Sequence, residues 1–291
     1  MIFLVGRNPS MAIPFGSDAS RITAVTNAIQ YVIDKAFPFA VNYGYAEYPS
    51  RTGCTGSNSC CVSTDGWLRP SNLTSQSERM VSCDGPPSSC LVANDGRPVA
   101  QALGRIPQWL SSATNPRYAI LFADGSPGCS GENSGDACTQ AIAAITSLRQ
   151  PPTGIKPVVV VVALGDDASK NTCLKMMAQE GGYFDMPPPV QAGDGKTLNT
   201  VLTQIVAKAA LDYCTINLTS APDPGSTLHI KVWGIEIDRD TSTRDPSQKD
   251  GWDFNAAGSS RIQVYGEACE LLQSAPRSEI RISSCPSQGS P

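Results

Sequence analysis

Histidine is almost missing from this chain: His229 is its single copy in 291 residues. Without a second imidazole a mixed zinc site has little to build on. No Gly-x-Ser-x-Gly elbow supplies a serine that His229 could activate, and no glycine-rich loop carries the lysine that would cradle a nucleotide's phosphates. No apolar run approaches the ~20 residues a membrane-spanning helix needs, so no transmembrane segment is expected. Charge is sparse, at 16% of residues, and basic charge is not in surplus, since the net charge is -4. Neither nucleic acid nor an anionic membrane finds an electrostatic footprint here. A secretory leader is missing too: no charged region, apolar core and small-residue cleavage site precede the first strand.

What is present is enough for a full core. With 41% hydrophobic residues over this length, one large domain plus a smaller one is expected. The 11 cysteines do not fall into two Cys-x-x-Cys pairs, so disulfides are the reading, and with them an extracytoplasmic location, periplasmic, surface or secreted. The odd count leaves at least one thiol unpaired or bonded elsewhere. This location conflicts with the missing leader; the expectation is that a segment ahead of Met1 is absent from this version of the chain. The alternative is a cytosolic protein with reduced thiols.

Hydrophobic spacing then organises the chain. Residues 2–5 read as a buried strand, 20–36 as an amphipathic helix with Ile22, Val25, Ile29 and Ile33 on one face, and 39–48 as a strand. Residues 49–95 form a Ser-, Gly-, Pro- and Cys-rich insertion with a short strand near 79–83. Helices are expected over 98–110, 136–149, 170–179 and 197–211, alternating with strands over 118–123, 157–164 and 182–185. Val158 to Val162 is apolar on both faces, which marks a central parallel strand. The fold class is therefore α/β, a doubly wound, mostly parallel sheet flanked by helices over residues 1–214. Residues 215–291 have a different texture, with alternation at 227–237 and 260–265 and Trp252 and Phe254 beside a glycine, and form a small β-rich module.

Ligands of an open α/β sheet bind beyond the carboxyl ends of its strands, which directs attention to three loops. FLVGRNPSM follows the first strand, DGRPVAQAL opens a later helix and ILFADGSP follows a central strand. This combination resembles the von Willebrand factor type A domain, over roughly residues 2–214. The resemblance implies that the loops build a metal-ion-dependent adhesion site: an Asp-x-Ser-x-Ser loop, a Thr at the start of the second helix, and an Asp after the fourth strand. Such oxygen ligands suit Mg²⁺. The matching residues are Gly6 for the first Asp, Asn8 and Ser10 for the serines, Arg97 for the Thr and Asp124 for the second Asp, so only Ser10 and Asp124 keep their type. Arg97 brings a positive charge into the pocket, where repulsion of a cation ~4 Å away is on the order of several kcal/mol. The expectation is that its guanidinium reaches Asp124 and stands in for the cation, with no cofactor bound. Two other readings stay open: an exposed Arg97 with Asp124 capping a helix, and weak Mg²⁺ binding retained on Ser10 and Asp124.

Among the cysteines, Cys129 and Cys138 bracket a turn-rich loop and are expected to pair. Cys173 with Cys214, and Cys269 with Cys285, are further candidates, although connectivity is not fixed by sequence. Asp166 and Asp167 suit a solvated helix start, and His229 a structural role in a strand. Asn72-Leu-Thr and Asn217-Leu-Thr fit the glycosylation pattern. Together these readings describe a non-enzymatic binding module that presents its loops to a protein or a surface polymer. A secreted hydrolase using Asp124 with Ser10 or Ser126, or a purely structural part of an envelope assembly, is the alternative.

Overall fold

The computed structural model describes residues 1–18, 20–36, 43–50, 62–63, 67–71, 91, 96–107, 118–129, 134–150, 157–183, 189–218, 220–223, 226–242, 250–254, 260–274 and 279–285. The strand expected near 79–83, the glycosylation candidate Asn72 and the cysteines at 54, 60, 61, 83 and 90 lie outside these residues. The chain divides into two compact units, Met1–Ala207 and Lys208–Pro291.

The first unit is built on β1 (Ile2–Gly6), α1 (Arg21–Tyr31), β2 (Tyr43–Tyr48), β3 (Leu68–Ser71), α2 (Val99–Arg105), β4 (Tyr118–Ala123), α3 (Ser134–Arg149), β5 (Val158–Leu164), α4 (Asp166–Lys170), α5 (Thr172–Gly181), β6 (Val190–Ala192) and α6 (Gly195–Tyr213), the last running past its boundary. The sheet order is β3-β2-β1-β4-β5-β6. Five strands are parallel, and β3 adds an antiparallel edge on β2. This is a von Willebrand factor type A or Rossmann-like α/β fold. The chain runs outward from β1 through β2 and returns to the other side of β1 with β4, so strand order reverses between β1 and β4. In open sheets of this kind ligands bind at such a reversal, beyond the strands' carboxyl ends.

Strand residues alternate between two buried faces. Ile2, Leu4, Leu121, Val159 and Val161 join one cluster with Leu103 of α2, Ile145 of α3 and Leu174 and Met177 of α5. Phe3, Val5, Phe122, Val160 and Val162, equally buried, face away from that cluster. Ile22, Val25 and Ile29 of α1 and Leu198, Leu202 and Ile205 of α6 are likewise buried outside it. Close packing of α5 on β5 depends on Gly181, where a Cβ would lie 2.1 Å from the Val159 carbonyl oxygen.

Of the strand expected at 182–185, Gly182 and Tyr183 are not in a strand, and residues 184–185 lie outside the described residues. Gly182, at φ 76°, caps α5 in the left-handed conformation that glycine adopts without a Cβ clash. The strand beside β5 is Val190–Ala192 instead, with Val190 and Ala192 buried. The helix expected over 170–179 begins at Thr172, and the short α4 precedes it with Asp166 and Asp167 in its first turn. Helix α1 stops at Tyr31 and continues to Ala36 as a π-helical turn.

In the second unit, β7 (Thr215–Asn217), β10 (Gly251–Phe254) and β11 (Arg261–Tyr265) form an antiparallel sheet in the order β10-β11-β7. A second antiparallel sheet has the order β12-β8-β9, from β8 (Thr227–Val232), β9 (Ile235–Ile237) and β12 (Ile280–Cys285). The alternating stretch 227–237 is thus a hairpin, not one strand. Its two-residue turn puts both Trp233 (φ 54°) and Gly234 (φ 78°) at positive φ. Helix α7 (Gly266–Ser274) and Trp252, Ile230, Val232, Ile262 and Val264 fill the core. The Trp252 indole N–H donates to the Ile237 carbonyl at 2.9 Å, and Arg239 lies 5.5 Å from the Trp252 ring centre and 5.0 Å from that of Phe254.

Candidate functional site

Gly6 ends β1, and the loop after it turns at once into a short 3-10 helix, Pro9–Ala12. Proline at its start suits a position whose N–H has no helical partner. The turn directs Asn8 and Ser10 toward the loop after β4. Asn8, fully buried, donates through Nδ2 to Asp124 Oδ2 at 3.0 Å and to Oδ1 at 3.3 Å, and also contacts Ser10 Oγ. The Ser10 hydroxyl donates to Asp124 Oδ2. Arg97 arrives from the start of α2: its Nε donates to Asp124 Oδ1 at 3.0 Å and its Nη2 to Ser10 Oγ at 2.7 Å. A second guanidinium, from Arg21 at the start of α1, places Nη1 3.7 Å from Asp124 Oδ2. The Asp124 side chain is only 2% exposed, Arg21 13% and Arg97 25%, so the anion lies at the bottom and the cations at the rim.

The backbone holds this arrangement. Arg97 and Gly128 form an isolated antiparallel bridge, with N–H to O distances of 2.6 and 3.1 Å, which ties the approach to α2 to the loop after β4. Gly165 leaves space for the Arg21 guanidinium, while Gly125 lies in ordinary contact range of Arg97. A Cβ on Gly125 would touch Arg97 at 3.5 Å, and one on Gly165 would press on Arg21 Nη2 at 2.9 Å. Beneath the site, Tyr48 donates to the Phe122 carbonyl at 2.6 Å. Burial pushes the Tyr48 phenol well above its ordinary range, and the negative charge of Asp124 pushes the same way, while Arg97 opposes it.

Gly6, Asn8, Ser10, Arg97 and Asp124 therefore converge at the reversal between β1 and β4. Two nearby arginines were not singled out in the sequence. Arg7 is 1% exposed and donates through Nη2 to Tyr45 and, at 2.6 Å, to Glu47 on β2. Arg21 carried a readable signal: a cation at the first position of a helix faces the positive end of the helix dipole, so something else must hold it there.

The cysteine pairings correct the expectation. Cys138 on α3 bonds Cys173 on α5, at a Cα separation of 5.8 Å, which rules out Cys129 with Cys138 and Cys173 with Cys214. Cys214 bonds Cys269, at a Cα separation of 5.4 Å, which rules out Cys269 with Cys285. Cys129 is also disulfide-bonded. Proximity in sequence misled here because α3 and α5 are neighbours only in the fold. Beside the Cys138–Cys173 bond a shallow groove of about 540 Å³ runs past Ser126, Thr139, Ile142, Asn171 and Met176. Asn171 caps α5 by accepting from the Leu174 N–H at 3.1 Å, and donates to Ser126 Oγ at 2.6 Å. His229 is a β8 residue in the second unit, and its Nδ1 lies 2.7 Å from Glu236.

Among the described residues no group of three or more His, Cys, Asp or Glu side chains is placed to hold a metal ion, and no helix is long and apolar enough to cross a membrane. No protein-family profile and no curated protein sequence matches the chain. Solved structures do. Proximal thread matrix protein 1 from the mussel byssus is 13% identical, with a TM-score of 0.42, over 75% of this chain and 49% of its own. The PilB minor pilin of Streptococcus sanguinis is 13% identical, with a TM-score of 0.48, over 72% of this chain and 60% of its own. The pilus adhesin SpaC of Lactobacillus rhamnosus GG, in an open conformation, is 14% identical, with a TM-score of 0.48, over 91% of this chain and 36% of its own. This chain thus spans well under two thirds of each of these proteins, and its fold assignment rests on its own sheet order.

Proposed function

We propose that this chain is a non-enzymatic protein-binding or adhesion module, a von Willebrand factor type A domain of an extracytoplasmic protein whose metal site has degenerated. Its binding surface is the set of loops at the carboxyl edge of the sheet. One observation carries the reading: Arg97 takes the two side chains that keep the residue type of the adhesion-site pattern, Asp124 at 3.0 Å and Ser10 at 2.7 Å. The remaining donors do not fit a hard divalent cation, which prefers several oxygen ligands and more than one negative charge. Gly6 offers no side chain, Asn8 turns its N–H donors toward Asp124, and Arg97 and Arg21 bring like charge within 4 Å of the single carboxylate. The guanidinium supplies by charge-assisted hydrogen bonds the compensation a metal would give.

The non-enzymatic reading is supported by how the two candidate hydroxyls are engaged. Ser10 Oγ contacts Asp124, Arg97 and Asn8, while Ser126 Oγ accepts from Asn171 at 2.6 Å. The carboxylate that accepts from Ser10, Asp124, is itself paired with Arg97, which weakens it as a general base, and among the described residues Ser126 is hydrogen-bonded to an amide and not to a base. The disulfides support the extracytoplasmic reading. Titration calorimetry with Mg²⁺, Mn²⁺ and Ca²⁺ tests the metal-free site. No binding heat is expected, and micromolar binding that Asp124→Ala abolishes would overturn the reading. Capture of a protein or polymer from surface extracts in the presence of EDTA tests the binding role.

A further inference from the structure

We infer that the groove between α1 and α6 is a second binding site, and that it takes a neutral oligosaccharide. It shares no residue with the cluster around Asp124, so the inference goes beyond the reading of that cluster and does not depend on it. The groove has a volume of about 670 Å³, within the range of roughly 300–1,000 Å³ found for small-ligand sites. From Asp18 and Gly195, which are in contact, its lining follows α1 to Tyr31 and α6 to Gln204. Gly195 to Gln204 covers about 14 Å at the helical rise, long enough for a short chain of rings rather than a lone one. A Cβ on Gly195 would lie 1.9 Å from Asp18 Oδ2, so only glycine lets the turn before α1 seat against α6 there. Ala24, Thr200 and Thr203, which also line the groove, are too small to fill it.

The chemistry of the lining names the ligand class. Asn27, Asn199 and Gln204 carry amides, each both donor and acceptor, as every sugar hydroxyl is. Asn199 Oδ1 is buried and has no hydrogen-bond partner, and a buried acceptor left unpaired is costly. A ligand hydroxyl supplies the missing donor. Tyr31 is 47% exposed and offers an amphipathic ring, apolar on its face and polar at its tip, against which the C–H face of a sugar can lie. Charge then selects within the class. Asp18 and Lys196 are the ionised groups among the described lining residues, and they cancel, so an acidic sugar gains nothing from the field. A nucleic acid would find a single cation. A peptide would lack anchorage, because the one aliphatic side chain in the lining is that of Ala24, and peptide grooves are built on apolar pockets.

The experiment follows the backbone and side-chain amide NMR signals of the full chain while cellotetraose or maltotetraose is added. Saturable shifts centred on Asn27, Asn199 and Gln204 are expected with at least one of the two, equally in Mg²⁺ and in EDTA. Binding is expected to be about tenfold weaker on Tyr31→Ala and on Asn199→Ala, and about tenfold weaker for trigalacturonate and for a blocked Gly-Ser-Gly-Ser peptide on the unmodified chain. Absent shifts with both neutral saccharides, equal binding of the acidic sugar or the peptide, or full affinity in Tyr31→Ala would each overturn the inference. Should Asn199→Ala not fold, Tyr31→Ala, cut at an exposed position, and the ligand comparison still decide. Failure here leaves the reading of the Asp124 loops standing, since metal titration tests that reading separately.

Discussion

Arg97 is fixed at both ends, its backbone by the bridge to Gly128 and its guanidinium by Asp124 and Ser10. Removing it leaves Asp124, 2% exposed, with Asn8, Ser10 and the more distant Arg21. Truncating one partner of a buried pair strands the other charge, but the exposure of Arg97 softens the loss. Arg97→Ala is therefore expected to lower unfolding stability by about 1–2 kcal/mol, read from the urea midpoint at constant m-value. Arg97→Lys is expected to recover only part of this, because an ammonium cannot repeat the two-pronged contact. At this scale the sequence was informative about Arg97, whose guanidinium reaches Asp124 as expected of a cation beside that loop. It was silent on Arg7, whose partners Tyr45 and Glu47 are 38 and 40 residues away and become neighbours only when β2 pairs with β1.

Elements were legible in proportion to their length and periodicity. The valine-rich β5 and the amphipathic α1 and α3 lie close to where hydrophobic spacing puts them. Strand β6 did not, because three residues are too few to display alternation. The β8–β9 turn was hidden for a related reason: tryptophan is not a residue that announces a positive φ. Helix α6 begins with a clearer device. Asp194 accepts from the Thr197 N–H at 2.7 Å, and that hydrogen bond holds its carboxyl below the usual 3.8. A carboxyl with a depressed folded pKa stabilises above its unfolded value and loses that contribution as pH falls through the folded one. Asp194→Asn is accordingly expected to flatten the acid limb of the stability profile below about pH 4, where the group titrates in the unfolded chain. Urea titrations repeated at several pH values check this, and an acid limb unchanged by the substitution would count against the cap.

At the scale of the whole molecule, each described disulfide closes a loop within one unit. Cys138–Cys173 spans 35 residues of the first and Cys214–Cys269 spans 55 of the second. Constraint of the unfolded chain over such spans is worth about 4 kcal/mol in the chain-entropy account, with 2–4 kcal/mol the usual yield. Replacing both members of either pair by serine is expected to lower stability by about 2–4 kcal/mol, measured by calorimetry beside the unmodified chain with and without reductant. Reductant is expected to add nothing further at the bond already removed. Fold class was readable because alternating strand and helix patterns admit few topologies. The pairings were not, because they depend on which helices the sheet brings side by side.

The bridge between Arg97 and Gly128 has a final consequence for how the surface behaves in use. A positive group that belongs to the polypeptide neither has to be recruited from the surroundings nor can be leached away. Its position is set once, when the chain folds, and thereafter does not depend on the mineral content of the medium. If the binding role proposed above holds, the face above Asp124 is armed from the moment the chain folds, and control over what docks there has to come from the visitor or from access to the rim.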